Sequence, residues 1–428
     1  MTFNFFLQST VEENLTIMWI TICGFLVFFM HAGFTLVEAG FTQAKNAVNI
    51  AMKNLMAISV GTIIYWFIGY SLMYGETSNG FFRWSGFFTE TAPHDLFFQT
   101  MFAATCATIV SGAVAGRIKY SVFAIFAVII TGLIYPIAGG WEWNPDGWLN
   151  SASFMPAEFI DLAGSSIVHA VGGWAALVGA FMVGPRLGKY VKGKVEAIPG
   201  HNKTLATLGV MALWFGWFGF NGGSQLGWGQ ITDADGILVV DHTLSATTIV
   251  LFTNLSAAAG AVGALVTTWV WYGKPDIVQT LNGALAGLVS ITAGAANMDP
   301  YGAFFAGLIG GVIVVFAIEF IEKKLRIDDA IGASSVHGVV GIWGTIVIGL
   351  WGVNGDQGIG LFNGGGIDQL ISQSIGALAY SFWAAIFAFI FFWILKKTIG
   401  LRVTKEEEIE GLDIAEHGIR AYPGKRNR

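Results

Sequence analysis

The sequence predicts an all-α integral membrane protein of eleven transmembrane helices, and three observations carry that reading. Of 428 residues, 54% are hydrophobic and only 12% charged, about half the charged share of an ordinary soluble domain. Apolar runs long enough to cross a hydrocarbon core, about 18 residues or more, recur along nearly the whole chain. Lysine and arginine then collect in alternate connections between those runs.

Apolar runs between charged or Pro/Gly-rich breaks place helices near 16–37, 46–73, 96–115, 121–139, 161–184 and 204–224. The second half adds 244–272, 278–297, 301–321, 335–353 and 369–398. The start, MTFNFFLQSTVEENLT, is polar and acidic and enters the first span directly, so no cleaved signal peptide is expected. Cys23 and Cys106 both fall inside apolar spans, which removes a disulfide framework or zinc site and leaves packing roles.

Basic residues near span ends stay cytoplasmic, and here the bias is nearly complete. One set of connections holds Lys45, Arg117, Lys119, Arg186, Lys189, Lys192, Lys194, Lys203, Lys274, Lys323, Lys324 and Arg326. The opposite set, near 74–95, 139–160, 225–243 and 354–368, holds Arg83 alone and is acidic. The amino terminus is therefore expected outside and the carboxyl terminus in the cytoplasm. Residues 1–398 form the membrane domain and 399–428 a cytoplasmic tail, with no separate soluble enzyme domain. The net charge of −6 lies mostly on outer loops and the tail and says little about function.

The chain also repeats itself. SSIVHAVGGWAALVGA (Ser165 to Ala180) resembles SSVHGVVGIWGTIVIG (Ser334 to Gly349) after one deletion. The copies fall in the fifth and tenth spans, so two five-span units, about 16–184 and 204–353, enter from opposite sides, with 369–398 as a final helix. Such inverted repeats place a substrate path near the midplane. His169 follows Asp161 by eight residues and His337 follows Asp329 by eight. That is about 12 Å of helix from opposite faces of a core roughly 30 Å thick, so both rings reach the middle. One such histidine could simply be bonded to a carbonyl. Two at matching repeat positions point to a cavity or proton relay. His94, His201, His242 and His417 fall in loops or the tail, and His31 stands alone on the first span. Glu38, with Lys45 and Lys53 nearby, reads as a structural ion pair.

Most of the 35 phenylalanines and 16 tryptophans are expected at lipid, interfacial or packing positions. Phe98 and Phe102, one turn apart at the outer start of the third span, differ by position. So do WFGFNGGS (Trp217 to Ser224) at the outer end of the sixth span, and Trp141 and Trp143 just ahead of Asp161. Together they can form either an interfacial belt or a cup whose ring faces attract a small cation by roughly 0.5 to 2 kcal/mol.

The residues HAGFTLVEAGFTQAKNAVNIAMKNL, DLAGSSIVHAVGG, GWFGFNGGS, DDAIGASSVHGVVGIWG and LRVTKEEEIEGLDIAEHGIRAY, in this order, resemble the ammonium transporter family from about 16 to 423. The resemblance implies a homotrimer in which every subunit has its own narrow hydrophobic pore. It assigns His169 and His337 to the paired pore histidines, and Trp143, Phe220 and Ser224 to the outer recruitment site. Phe102 and Phe220 become a stacked gate, Phe98 a vestibule ring, and Asp161 the carboxylate behind the outer site. The tail matches a segment that couples subunits and takes part in docking a PII-type regulatory protein. The loop PIAGGWEWNPDGWL is one residue longer than the family pattern, which leaves Trp141 as the alternative to Trp143. VAGRIKY lacks a glutamate found before the equivalent arginine in some relatives, so a local ion-pair difference is expected.

The implied activity is ammonium transport across the cytoplasmic membrane. Ammonium is recruited at the aromatic site, deprotonated, and conducted as ammonia past the histidines. The rival is a sensor that binds ammonium with little conduction. An intramembrane enzyme would need a third metal ligand or paired carboxylates at histidine depth, and the spans offer no HExxH. No cofactor, metal or nucleic acid is called for.

Overall fold

The apolar runs become helices in the computed structural model, which describes residues 11–77, 79–88, 91–150, 153–228, 230–232, 238–240 and 245–422. They are α1 (Val11–Phe41), α2 (Ala44–Tyr74), α3 (Pro93–Ala113), α4 (Tyr120–Trp143), α5 (Ser165–Val183), α6 (Lys203–Ser224), α7 (Ala246–Tyr272), α8 (Ile277–Thr292), α9 (Pro300–Lys324), α10 (Ser334–Trp351) and α11 (Asp368–Thr398). Ten of these are long and apolar enough to cross a membrane, and α8 is apolar but shorter. Two short helices, α12 (Lys405–Glu410) and α13 (Leu412–His417), form the tail. His242 lies outside the described residues.

Local chemistry sets the ends. Pro93 and Pro300 open α3 and α9, where a missing N–H costs nothing. Asn202, Asp276 and Asp299 cap α6, α8 and α9 by accepting the N–H of Leu205, Gln279 and Gly302. Several ends differ from the sequence reading: the first helix spans Val11–Phe41 rather than 16–37, and the fourth runs on to Trp143 rather than 139. The fifth helix begins at Ser165 rather than 161, because Asp161 turns back as a cap. The eighth ends at Thr292 rather than 297, where the chain turns and Asn297 N–H donates to Gly294 O at 2.8 Å. Among the described residues, three small antiparallel strand pairs lie in the 190–195, 230–240 and 353–358 connections.

Large apolar side chains such as Ile63, Phe181, Met211, Leu251, Val270 and Phe382 stand exposed around the bundle, the pattern expected of a surface that faces lipid. Within it, α1 lies along α6, and α7, α8 and α9 form a tight trio in which Ser256 Oγ donates to Gly287 O at 2.7 Å. Cys23 and Cys106 are free and buried.

The basic connections meet at one end, here the Arg186 end. Arg186 makes a two-pronged ion pair with Asp328 at 2.7 and 2.8 Å. Burial alone would raise that carboxyl, but the Arg186 hydrogen bonds and charge, with Arg117, hold it well below its ordinary value. Arg117 is fully buried and donates to the carbonyls of Ala113, Ala115, Gly184 and Asp328. Carbonyl oxygens thus surround the arginine of VAGRIKY, where an ion-pair difference was expected. The tail straps this end: Glu408 pairs with Arg402 and accepts Leu187 N–H, Asp413 accepts Asn49 N–H, and Glu416 accepts Tyr120 N–H.

Candidate functional site

Two matching devices place the histidines. Asp161 is buried, and its oxygens accept the backbone N–H groups of Gly164, Ser165, Ser166 and Ile167 at 2.8 to 3.0 Å. Asp329 accepts those of Gly332, Ala333 and Ser334 at 2.6 to 3.2 Å. Each aspartate is followed three residues later by a glycine in left-handed geometry, Gly164 at φ +102° and Gly332 at +82°, a turn other residues adopt only with strain. Each helix then starts with a wide π turn, Ser165–Ala170 and Ser334–Val339, which carries the histidine. The side chains meet at the centre of the bundle, with His337 Nδ1 and His169 Nδ1 3.1 Å apart. That contact requires one ring to donate and the other to accept, so two neutral rings adopt opposite tautomers.

Aromatic rings continue the line. His169 lies flat on Trp217, centroids 5.0 Å apart, and next to Phe220 at 5.4 Å. Trp217 is fixed by an Nε1–H bond to Thr292 Oγ1 at 2.9 Å. Phe220 stacks on Phe102 at 4.1 Å, and both are fully buried. On the far side of Phe102 opens a cavity of about 310 Å³ lined by Phe98, Phe102, Trp143 and Ser224. Tyr74, Asp95, Gln99, Leu162 and Leu226 complete its wall. Trp143 meets Phe102 edge-on at 5.9 Å and donates Nε1–H to Asp161 O at 2.7 Å. At the opposite end, beyond His337 and the Phe34 ring 6.2 Å from it, a second cavity of about 310 Å³ opens among Arg186, Lys203, Asp329 and Ile331.

Phe98, Phe102, Trp143 and Ser224 thus share one chamber, and Phe220 closes its floor. Asp161 stands outside the chamber wall with both oxygens turned onto the backbone. Trp141 is buried elsewhere, against Phe81, Trp148, Tyr380 and Trp383. Sequence reasoning assigned no role to Phe34, Tyr74, Asp95 or Gln99. Phe34 lies within the quoted HAGF run, three residues after His31 on the same helical face, and that spacing was its signal.

Long apolar helices around a line of rings that lies between two cavities define a multi-pass helical membrane protein. A sequence profile described as the Ammonium Transporter Family matches residues 18–422. The chain belongs to the ammonium transporter family. It is 44% identical to ammonium transporter Amt2 of Archaeoglobus fulgidus, covering 97% of this chain and 90% of that protein. It is 38% identical to ammonium transporter Amt1 of Haloferax mediterranei, covering 97% and 80%. Among solved structures, a sensor Amt protein superposes with a TM-score of 0.87 at 37% identity, covering 95% of this chain and 99% of that one. Mep2 of Candida albicans gives 0.80 at 26% identity, covering 93% and 89%.

Proposed function

We propose that the chain conducts ammonium nitrogen across the cell membrane as ammonia, with the proton removed at the Trp143 chamber. The observation that carries the reading is the unbroken series Phe102, Phe220, His169, His337, ending in the 3.1 Å contact between two buried imidazoles. A bare ammonium ion there would lose hydration worth of order tens of kcal/mol, which ring contacts cannot replace. Neutral ammonia crosses at far lower cost, and potassium, with no proton to shed, is rejected. In opposite tautomers one ring leaves an Nε2 acceptor and the other an Nε2–H donor, a pair suited to handing ammonia along. In this reading Phe98, Trp143 and Ser224 recruit the cation, Phe102 and Phe220 gate it, and Asp161 orders the wall and offsets charge from behind.

The same reading makes all eleven helices crossings, with the two aspartate-capped units related by inverted topology, the Trp143 end outside and the Arg186 end cytoplasmic. Residues 1–398 are then the channel and 399–428 its regulatory tail. A homotrimer and a PII-type protein docking at the Arg186 end complete it. Two features support this arrangement: the matched Asp161 and Asp329 caps, and the collection of basic residues at one end.

The test is the current evoked by an ammonium jump on proteoliposomes, with potassium as control ion. Wild type gives a saturable ammonium response, a current where the released proton crosses with the ammonia or internal alkalinisation without current where it returns outside, and none with potassium. The double variant His169→Ala/His337→Ala loses it or becomes permeable to potassium. A double variant that conducts ammonium selectively would sink the histidine path. The sensor resemblance supports one alternative, a receptor that binds ammonium in the same chamber without conduction. Calorimetric binding by a wild type that is silent in both current and internal pH would select it.

Trp143→Leu removes one ring face from the chamber. A cation–π contact worth roughly 0.5 to 2 kcal/mol corresponds to about a 2- to 30-fold rise in the half-saturating ammonium concentration. The maximal rate is expected to change less than twofold. Concentration series on the same proteoliposomes check this, and an unchanged half-saturation value would remove Trp143 from recruitment.

A further inference from the structure

Glu38 does not form the ion pair that its neighbours suggest. Lys45 Nζ turns to the tail, donating to the carbonyls of Glu408 and Ile409, and Lys53 Nζ donates to Ser111 O at 2.8 Å. Among the described residues neither lysine makes an ion pair with Glu38. The carboxyl is 1% exposed. Its Oε2 accepts the Ser111 hydroxyl at 2.7 Å, while its Oε1 is buried and makes no hydrogen bond of good geometry, with the Asn54 amide and the Thr108 hydroxyl as its near polar neighbours. A buried carboxyl oxygen left open is costly, and a transported molecule that carries N–H groups is a fitting partner for it.

Its position gives that opening a use. Glu38 follows Phe34 by four residues on α1, one turn nearer the Arg186 end, and Phe34 lies against His337. A Cβ added at Gly112 on α3 would meet both the Glu38 side chain and Ile331, so the two lie close together there, and Ile331 lines the cavity at the Arg186 end. Along α1 the carboxyl therefore lies between the level of the second histidine and the inner cavity, next to that cavity's lining rather than in it. We propose that Glu38 is an inner proton-exchange site for ammonia, a carboxyl anchored on Ser111 with one oxygen free, between His337 and the cavity at the Arg186 end. The proposal rests on the ammonia path above. Ammonia arriving from His337 takes the proton of the Glu38 carboxylic acid. A new N–H bond forms as the O–H bond breaks, which leaves ammonium and a carboxylate. Ammonium departs into the cavity, and the carboxylate takes a proton from a water molecule there, which leaves hydroxide on that side. The groups around it are few. Lys53 and the Asn54 amide come from α2 and His337 from beyond Phe34, while Asp329, from the segment before α10, and Lys203, from the start of α6, line the cavity. On α3, Thr108 and Ser111 offer only hydroxyls.

The test combines transport with a direct view of the carboxyl. Glu38→Gln keeps shape and removes the proton, Glu38→Asp keeps the acid, and Ser111→Ala removes the anchor. On proteoliposomes, Glu38→Gln is expected to lower the maximal ammonium rate about tenfold at unchanged half-saturation and to abolish its dependence on internal pH. Glu38→Asp is expected to restore most of both, and Ser111→Ala to fall between. Ammonium-induced infrared difference spectra of the same membranes should contain a carboxylic acid band that Glu38→Gln lacks and the double histidine variant retains. A band that survives Glu38→Gln overturns the inner site, as does a Glu38→Gln rate within twofold of wild type with its internal-pH dependence intact. A wild type silent in transport but showing the Glu38 band overturns the conduction reading and leaves the inner site standing.

Discussion

Asp161→Ala is expected to yield little or no monodisperse protein. The side chain closes the start of α5 by accepting four backbone N–H groups at 3.0 Å or less, all buried. Removing it strands four donors, each at a cost of about 1 to 3 kcal/mol when no water replaces the acceptor. The sum of about 4 kcal/mol or more is a large share of the 5 to 15 kcal/mol that typically separates folded from unfolded protein. Asp161→Asn should be milder but still damaging, because one amide oxygen can serve Gly164 and Ser165 while the NH2 group faces the donors of Ser166 and Ile167. Size-exclusion profiles and thermal melting in detergent check the order wild type, Asn, Ala. An alanine variant that melts within a few degrees of wild type would mean that water serves those N–H groups and that the cap does not hold His169.

The existence of each long apolar helix was legible because hydropathy is a property of the run itself, whereas the ends depend on single side chains and the polar tail helices carry no such signal. Asp161 reads as the first residue of an apolar stretch until its cap is seen, which moves the start of the helix to Ser165. The histidine pair was legible because two eight-residue spacings from an aspartate are a local signal, written twice. The choice between Trp141 and Trp143 was not, since it depends on Phe81 and Trp383, distant in sequence, closing over Trp141. Glu38 failed for a related reason. Lys45 is seven residues further along, a helical spacing, but α1 ends at Phe41 and the next residues turn, so Lys45 reaches the tail instead. Chamber residues Tyr74, Asp95 and Gln99 were equally hidden, because only the packing of α2 on α3 brings their side chains to one wall.

Gly173→Ala is expected to impair folding and transport together, and Gly173→Val to abolish folding. A Cβ on Gly173 would lie 2.0 Å from Gly338 N and 2.5 Å from Gly338 Cα, so it meets backbone rather than a movable side chain. This is the point at which α5 and α10 cross, and a small-residue contact of this kind is what lets two membrane helices approach so closely. Gly173 lies one turn beyond His169, and Gly338 directly follows His337. Any parting of the backbones here therefore pulls at the 3.1 Å contact between the rings. Overpacking of this kind typically costs about 1 to 3 kcal/mol, and more where backbone must move. Gly61→Ala is a fitting control, since its nearest contact would be the Ala104 methyl at 3.2 Å. The control should melt close to wild type and conduct normally, while Gly173→Ala melts earlier and passes ammonium at least tenfold more slowly. Wild-type melting and current in Gly173→Ala would show that the crossing can relax without disturbing the histidines, and the close approach of α5 and α10 would then not be what sets their distance.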